Sequence, residues 1–194
     1  NCPISVVVSS GLDAMVHAIE AVTAKTATTI SELIGKNAFA MMYQQLPKFV
    51  EGDRGEEVCS QMLMASYLAG IAMMNAGGGP ASGISYPLGV HYGVPHGYAG
   101  GVFLPHVFKM NIEKGYMGYI PVIHEMFPDK LSLSVDELNQ FFIHKIFDFF
   151  IRIKSPENFK KWVSNDVFAI DNLTQLTVEQ RMSNLLLNPV ECSQ

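Results

Sequence analysis

Asp13 and His17 lie in the stretch Gly11-Leu12-Asp13-Ala14-Met15-Val16-His17-Ala18-Ile19-Glu20-Ala21. A spacing of four puts a carboxylate and an imidazole on one face of a helix, one turn apart, where together they can grip a divalent ion. The same spacing suits an ordinary helix Asp–His pair, and the two residues alone leave both readings open. A second block, from Gly83 to Val107, holds Tyr86, His91, His96 and His106. Pro95 is expected at the first position of a helix, which places His96 in its first turn. The positive end of the helix dipole disfavours an imidazolium there, whereas a neutral, metal-ligating imidazole is compatible with it. His91, five residues before His96, is a candidate substitute ligand or proton relay, though spacing alone does not aim it at the site. Glu20, one turn beyond His17, is read either as orienting a ligand from behind or as a helix-surface or structural polar contact. His106, His124 and His144 show no ligand-spaced partner.

The elements that must position these residues are helical. Alternating strand patterns bounded by hairpin turns are almost missing, and helix starts and stops recur throughout. Thr29 with Glu32, Asp53 with Glu56, Ser134 with Glu137 and Thr177 with Gln180 have the capping-box form, and Ser155-Pro156 marks a fifth start. The pattern predicts helices near 12 to 24, 29 to 49, 55 to 75, 80 to 92, 95 to 108, 117 to 127, 134 to 153, 156 to 164 and 177 to 187. Leu138, Phe141, Phe142, Phe149 and Ile153 recur mostly at three or four and predict one broad packed face. The methionine-rich pattern of the helix at 55 to 75 is likewise assigned to the core. Asn75-Ala76-Gly77-Gly78-Gly79-Pro80 breaks helices. It reads as a tight interhelical turn, with a phosphate cradle of backbone N–H groups as the alternative. It has neither the GxGxxG spacing nor the lysine of a P-loop, and no Rossmann unit is visible in the chain.

Of the 194 residues, 48% are hydrophobic and 16% charged, enough apolar content to bury one sizeable core. The expected fold class is all-α, in one globular helical domain. A net charge of -5 with no basic stripe argues against a nucleic-acid partner. Three widely spaced cysteines fit a reducing, cytoplasmic setting better than a disulfide framework. The apolar stretch from Met62 to Met74, read as the richest, is too short for a bilayer, so no membrane partner is expected. Because the chain opens with Asn1, a domain, fragment or processed product is expected.

The Gly-Leu-Asp-Ala-x-x-His-Ala-Ile-Glu-Ala block, and the Pro95-His96-Gly97 block followed by Leu104-Pro105-His106-Val107, resemble the two signatures of iron-containing (group III) alcohol dehydrogenases. The similarity runs from about Ser10 to Met110 and continues weakly to Asn188-Pro189. It implies the metal-binding C-terminal helical half of such an enzyme, with the dinucleotide-binding half absent and one more helix expected after Gln194. On that resemblance Asp13, His17 and His96 match three of four metal ligands. The fourth, a histidine, falls on Ser82, and a nearby family histidine falls on Tyr86. A serine hydroxyl is a weak ligand, yet two histidines and a carboxylate suffice for Fe(II) or for Zn(II) with an open position. The implied reaction is reversible hydride transfer between an alcohol or aldehyde and NAD(P). The nucleotide is held by the missing domain, and Tyr86 or His91 passes the proton to water. Two rival readings accompany it: a metal-deficient pseudoenzyme or interaction domain, and a related metal-dependent sugar lyase or cyclase. The cleft wall contributed by Met15, Ile84, Tyr86, Val90, Tyr92 and Tyr98 is expected to be bare, favouring a homodimer or raised mobility.

Overall fold

A computed structural model of the chain describes residues 2–163 and 169–192. Among these the architecture is all-α, as the sequence predicts. Its helices are α1 (Ile4–Thr23), α2 (Thr29–Glu51), α3 (Glu56–Ala76), α4 (Pro80–Tyr92), α5 (His96–Glu113), α6 (Ile120–Met126), α7 (Val135–Arg152) and α8 (Ile170–Leu187), with a 3₁₀ turn at Pro128–Lys130. Helix α1 runs through the centre. Helices α2 and α3 pack on one side of it and α5 on another, α4 packs on α5, and α8 lies on α4.

The burial pattern explains that order. Leu12, Met15, Val16, Ala18, Ile19 and Ala21 of α1 are almost entirely shielded from solvent, so α1 is apolar over most of its circumference and has to be central. It is also long and apolar enough to cross a membrane, which corrects the choice of Met62–Met74 as the richest stretch. Yet 56% of its most apolar window is buried inside the fold, as in a core helix. Phe108, Tyr119 and Phe142 meet edge to face or tilted where α5 and α7 converge. The predicted packed face of α7 is found, with Leu138, Phe142, Phe149 and Ile153 buried.

Several boundaries differ from the sequence reading. Helix α1 begins eight residues before the predicted residue 12. Its early turns are held by α5, whose Tyr98 hydroxyl donates to the Ser5 carbonyl at 2.8 Å. The box at the start of α2 is formed by Thr28 and Ser31, one residue earlier than the Thr29–Glu32 pair. Ser134 and Glu137 form theirs as expected. Asp53 accepts from the Gly55 N–H without capping α3, and Thr177 lies inside α8 with its hydroxyl on the Leu173 carbonyl. Arg181 interrupts α8 with a non-helical backbone. Through 163, the helix predicted at 156 to 164 is not formed, and residue 164 lies outside the described residues. That stretch follows Lys154 in the left-handed region and turns Phe159 and Trp162 onto Phe103 and Tyr98. In α3 the buried face is Val58, Ala65, Ala69, Ala72 and Ala76; of its methionines, Met62 packs against the core while Met64 and Met74 are exposed, contrary to their core assignment. Small side chains let α3 sit close to α1 and α2, and the longer ones are left outside. Met15 and Tyr98 are likewise buried, not part of a bare wall, whereas Tyr86 and Val90 are exposed.

Candidate metal centre

Asp13 and His17 project from consecutive turns in the middle of α1, and His96 from the first residue of α5, with Pro95 as the capping residue before it. The close approach of α5 to α1 brings the third group in. Nε2 of His17 lies 3.7 Å from Oδ1 of Asp13, and Nε2 of His96 lies 3.5 Å from the same oxygen. One donor atom from each residue lies within 4.8 Å of the others. Ligands of a tetrahedral ion at about 2.0–2.2 Å are separated by roughly 3.3–3.6 Å, so small side-chain adjustments bring these three onto one ion. Burial holds the His17 imidazole below its ordinary pKa. The carboxylate of Asp13 opposes that effect and His96 adds to it. A neutral ring keeps a lone pair free, which is the state a metal ligand requires.

Behind these residues lies a buried carboxylate. Glu20, 3% exposed, reaches from α1 to the start of α4. It accepts from the backbone N–H of Gly79 and of Ala81, each at 2.7 Å, from the Ser82 N–H at 3.2 Å, and from the Ser82 hydroxyl at 2.5 Å. The first turn of α4 has no side-chain cap of its own, so Glu20 satisfies its orphan donors and meets the positive end of its dipole. Burial pushes the Glu20 carboxyl up, and these hydrogen bonds pull it back. The glycine-rich turn is therefore both a tight interhelical turn and an anion cradle, whose anion is the protein's own carboxylate. The surface-contact alternative for Glu20 is corrected accordingly.

Sequence reasoning also passed over Ser85. Its hydroxyl donates to the Ser82 carbonyl at 2.7 Å, and its oxygen lies 3.5 Å from Nε2 of His96. Nothing in its spacing marks it, because the contact exists only once α5 packs on α4. Tyr86 is exposed, and its ring lies under the Arg181 guanidinium, 3.6 Å from carbon to ring centroid. His91 is exposed, with Nε2 3.5 Å from Nε2 of Gln180 on α8. Neither belongs to the three-residue cluster. His144, read as having no ligand-spaced partner, is paired with Asp148 one turn on at 3.5 Å, on the exposed face of α7.

The family model for the C-terminal region of Fe-containing alcohol dehydrogenases matches residues 7–194. The chain belongs to that family. It is 36% identical to the NAD-dependent methanol dehydrogenase of Bacillus methanolicus over 110 residues, covering 57% of this chain and 29% of that protein. It is 31% identical to the 4-hydroxybutyrate dehydrogenase of Clostridium kluyveri over 137 residues, covering 70% and 37%. An iron-containing alcohol dehydrogenase from Thermococcus thioreducens superposes over the whole chain and 48% of its own, with a TM-score of 0.83 and 28% identity. A 1,3-propanediol oxidoreductase shares the fold, with a TM-score of 0.86 and 24% identity over 100% of this chain and 50% of that one. The chain thus spans about half the length of the solved structures it resembles.

Proposed function

We propose that this chain supplies the metal and substrate half of an alcohol or aldehyde oxidoreductase that exchanges hydride with NAD(P). The observation that carries the reading is the convergence of Asp13, His17 and His96 from two helices onto one small volume. Two imidazoles and a carboxylate suit Fe(II) or Zn(II), and the sub-5 Å spacing of their donors fits either ion. When bound, such an ion supplies Lewis acidity at the substrate oxygen. Asp13, His17 and His96 would hold that ion, and burial favours the uncharged, ligating form of His17. Oxidation of an alcohol here would release its hydroxyl proton, which would have to reach solvent. Tyr86 and His91, both exposed on α4, are assigned that relay. Arg181 over the Tyr86 ring and Gln180 beside His91 restrict the two side chains from α8. The nicotinamide itself is assigned to a separate nucleotide-binding domain, because no phosphate-binding strand–helix unit is found among the described residues and the glycine-rich turn is taken by Glu20.

Elemental analysis of the purified chain and of His17→Ala tests the metal reading. One equivalent of iron or zinc is expected in the first and a strong loss in the second. Nucleotide-binding domain added in trans then tests the activity, with metal-dependent hydride transfer as the expected result. Binding of the added domain without turnover would favour the pseudoenzyme reading.

A further inference from the structure

We propose that Ser82 is a latch on Glu20 and not a metal ligand, so that an ion in this site is held by Asp13, His17 and His96 alone, with an additional coordination position left to water or substrate. The inference rests on the metal reading above. Its basis is where the Ser82 proton goes. The Ser82 hydroxyl donates to Oε2 of Glu20 at 2.5 Å, while its own N–H donates to the same carboxylate. For the hydroxyl oxygen to become a strong ligand it would have to lose that proton, placing an alkoxide 2.5 Å from a buried carboxylate. Glu20 cannot retreat to make room. It is 3% exposed and pinned by Gly79 and Ala81, and it packs so tightly that a Cβ on Gly79 would lie 2.9 Å from its carboxyl group. The neighbouring Ser85 offers no better donor, since it too is a neutral hydroxyl, with its proton on the Ser82 carbonyl. A neutral hydroxyl is a poor donor to Fe(II) or Zn(II) beside two imidazoles, so Ser82 has more to lose by leaving Glu20 than it gains at an ion.

Cobalt(II) reports both affinity and donor set, and it is titrated into the full chain and into Ser82→Ala, Ser82→His and His17→Ala. Visible absorption and calorimetry follow binding, and circular dichroism checks the fold. The expected result is one Co(II) per chain, an affinity for Ser82→Ala within about twofold of the starting protein, and no specific binding by His17→Ala. Ser82→His should bind at least about tenfold more tightly, with a changed visible spectrum as a nitrogen donor enters. A loss in Ser82→Ala as large as that in His17→Ala overturns the proposal, and this comparison decides even if Ser82→His fails to fold. Binding by Ser82→His without binding by the starting protein also overturns it, because three ligands would then be too few. Binding by none of the folded variants takes down the metal reading itself.

Discussion

The Cα of Gly97 faces the Ser9 carbonyl so closely that a Cβ there would sit 1.8 Å from the oxygen. Only a residue without a side chain fits at that crossing, and the crossing brings His96 to within 3.5 Å of Asp13. Gly97→Ala should therefore separate α5 from α1. The expected cost is about 3 kcal/mol, together with a marked loss of metal affinity. Thermal unfolding and a metal titration check this. An alanine variant with the original Tm and affinity would mean that the contact relaxes freely.

Glu20 is the acceptor for donors from Gly79, Ala81 and Ser82 around the start of α4. Glu20→Ala leaves them buried and unpaired and should cost about 3–5 kcal/mol. Glu20→Gln retains one acceptor oxygen and should cost less, about 1–3 kcal/mol. Chemical denaturation of both variants measures the order. Equal costs would contradict this, because the acceptor oxygen kept by glutamine would then recover none of the lost hydrogen bonding.

Asn188 closes a second buried network. Its Nδ2 donates to Asn111 Oδ1 at 2.8 Å and to the Val190 carbonyl at 2.9 Å, while Asn111 donates to the Tyr119 hydroxyl at 2.8 Å. This ties the segment after α8 to the end of α5. Asn188→Ala should cost about 2–3 kcal/mol by leaving Asn111 partly unpaired. The double variant with Asn111→Ala should cost less than the sum, which a double-mutant cycle would read. Strict additivity would contradict the network.

Glu51 at the end of α2 is bound by the Arg152 guanidinium at the end of α7. Those hydrogen bonds, with the charge of Arg152, hold its carboxyl below the ordinary value of 4.5. A folded pKa below the unfolded one means that the stabilisation is present above the unfolded value and is lost as pH falls through the folded one. Both groups are exposed, so the effect is small. Glu51→Gln should lower Tm by on the order of 1–2 °C at pH 7 and by progressively less as the solution is acidified through the folded pKa. A difference that grows on acidification would reverse the assignment.

Much of the fold was legible because the helices announce themselves. The box at Ser134–Glu137 and the apolar spacing of α7 follow the rules of isolated helices, and α7 is found where they place it. The first eight residues of α1 obey no such rule. Their run of valines and serines is a weak helix signal, and tertiary contacts such as Gly97 on Ser9 and Tyr98 on Ser5 decide their structure. Ser155-Pro156 gave a start signal that the left-handed Lys154 and the inward turn of Trp162 override. At the site, Asp13 and His17 could be paired from their spacing, but His144 and Asp148 share that spacing and stand exposed, with no third metal-ligating donor among the described residues. The distinction comes from His96, 79 positions after His17 and delivered by helix packing. Glu20 was legible as a group one turn beyond His17 that orients a ligand or makes a surface or structural polar contact, but its partners on α4 could not be read from that spacing.

Anomalous diffraction from crystals of the chain grown with zinc would locate an ion bound by Asp13, His17 and His96. The expected result is one strong peak about 2.0–2.2 Å from a carboxylate oxygen of Asp13 and from a ring nitrogen of each of His17 and His96, with the Ser82 hydroxyl still on Glu20. A peak elsewhere with these three side chains pointing apart, or no peak at saturating zinc, would contradict it.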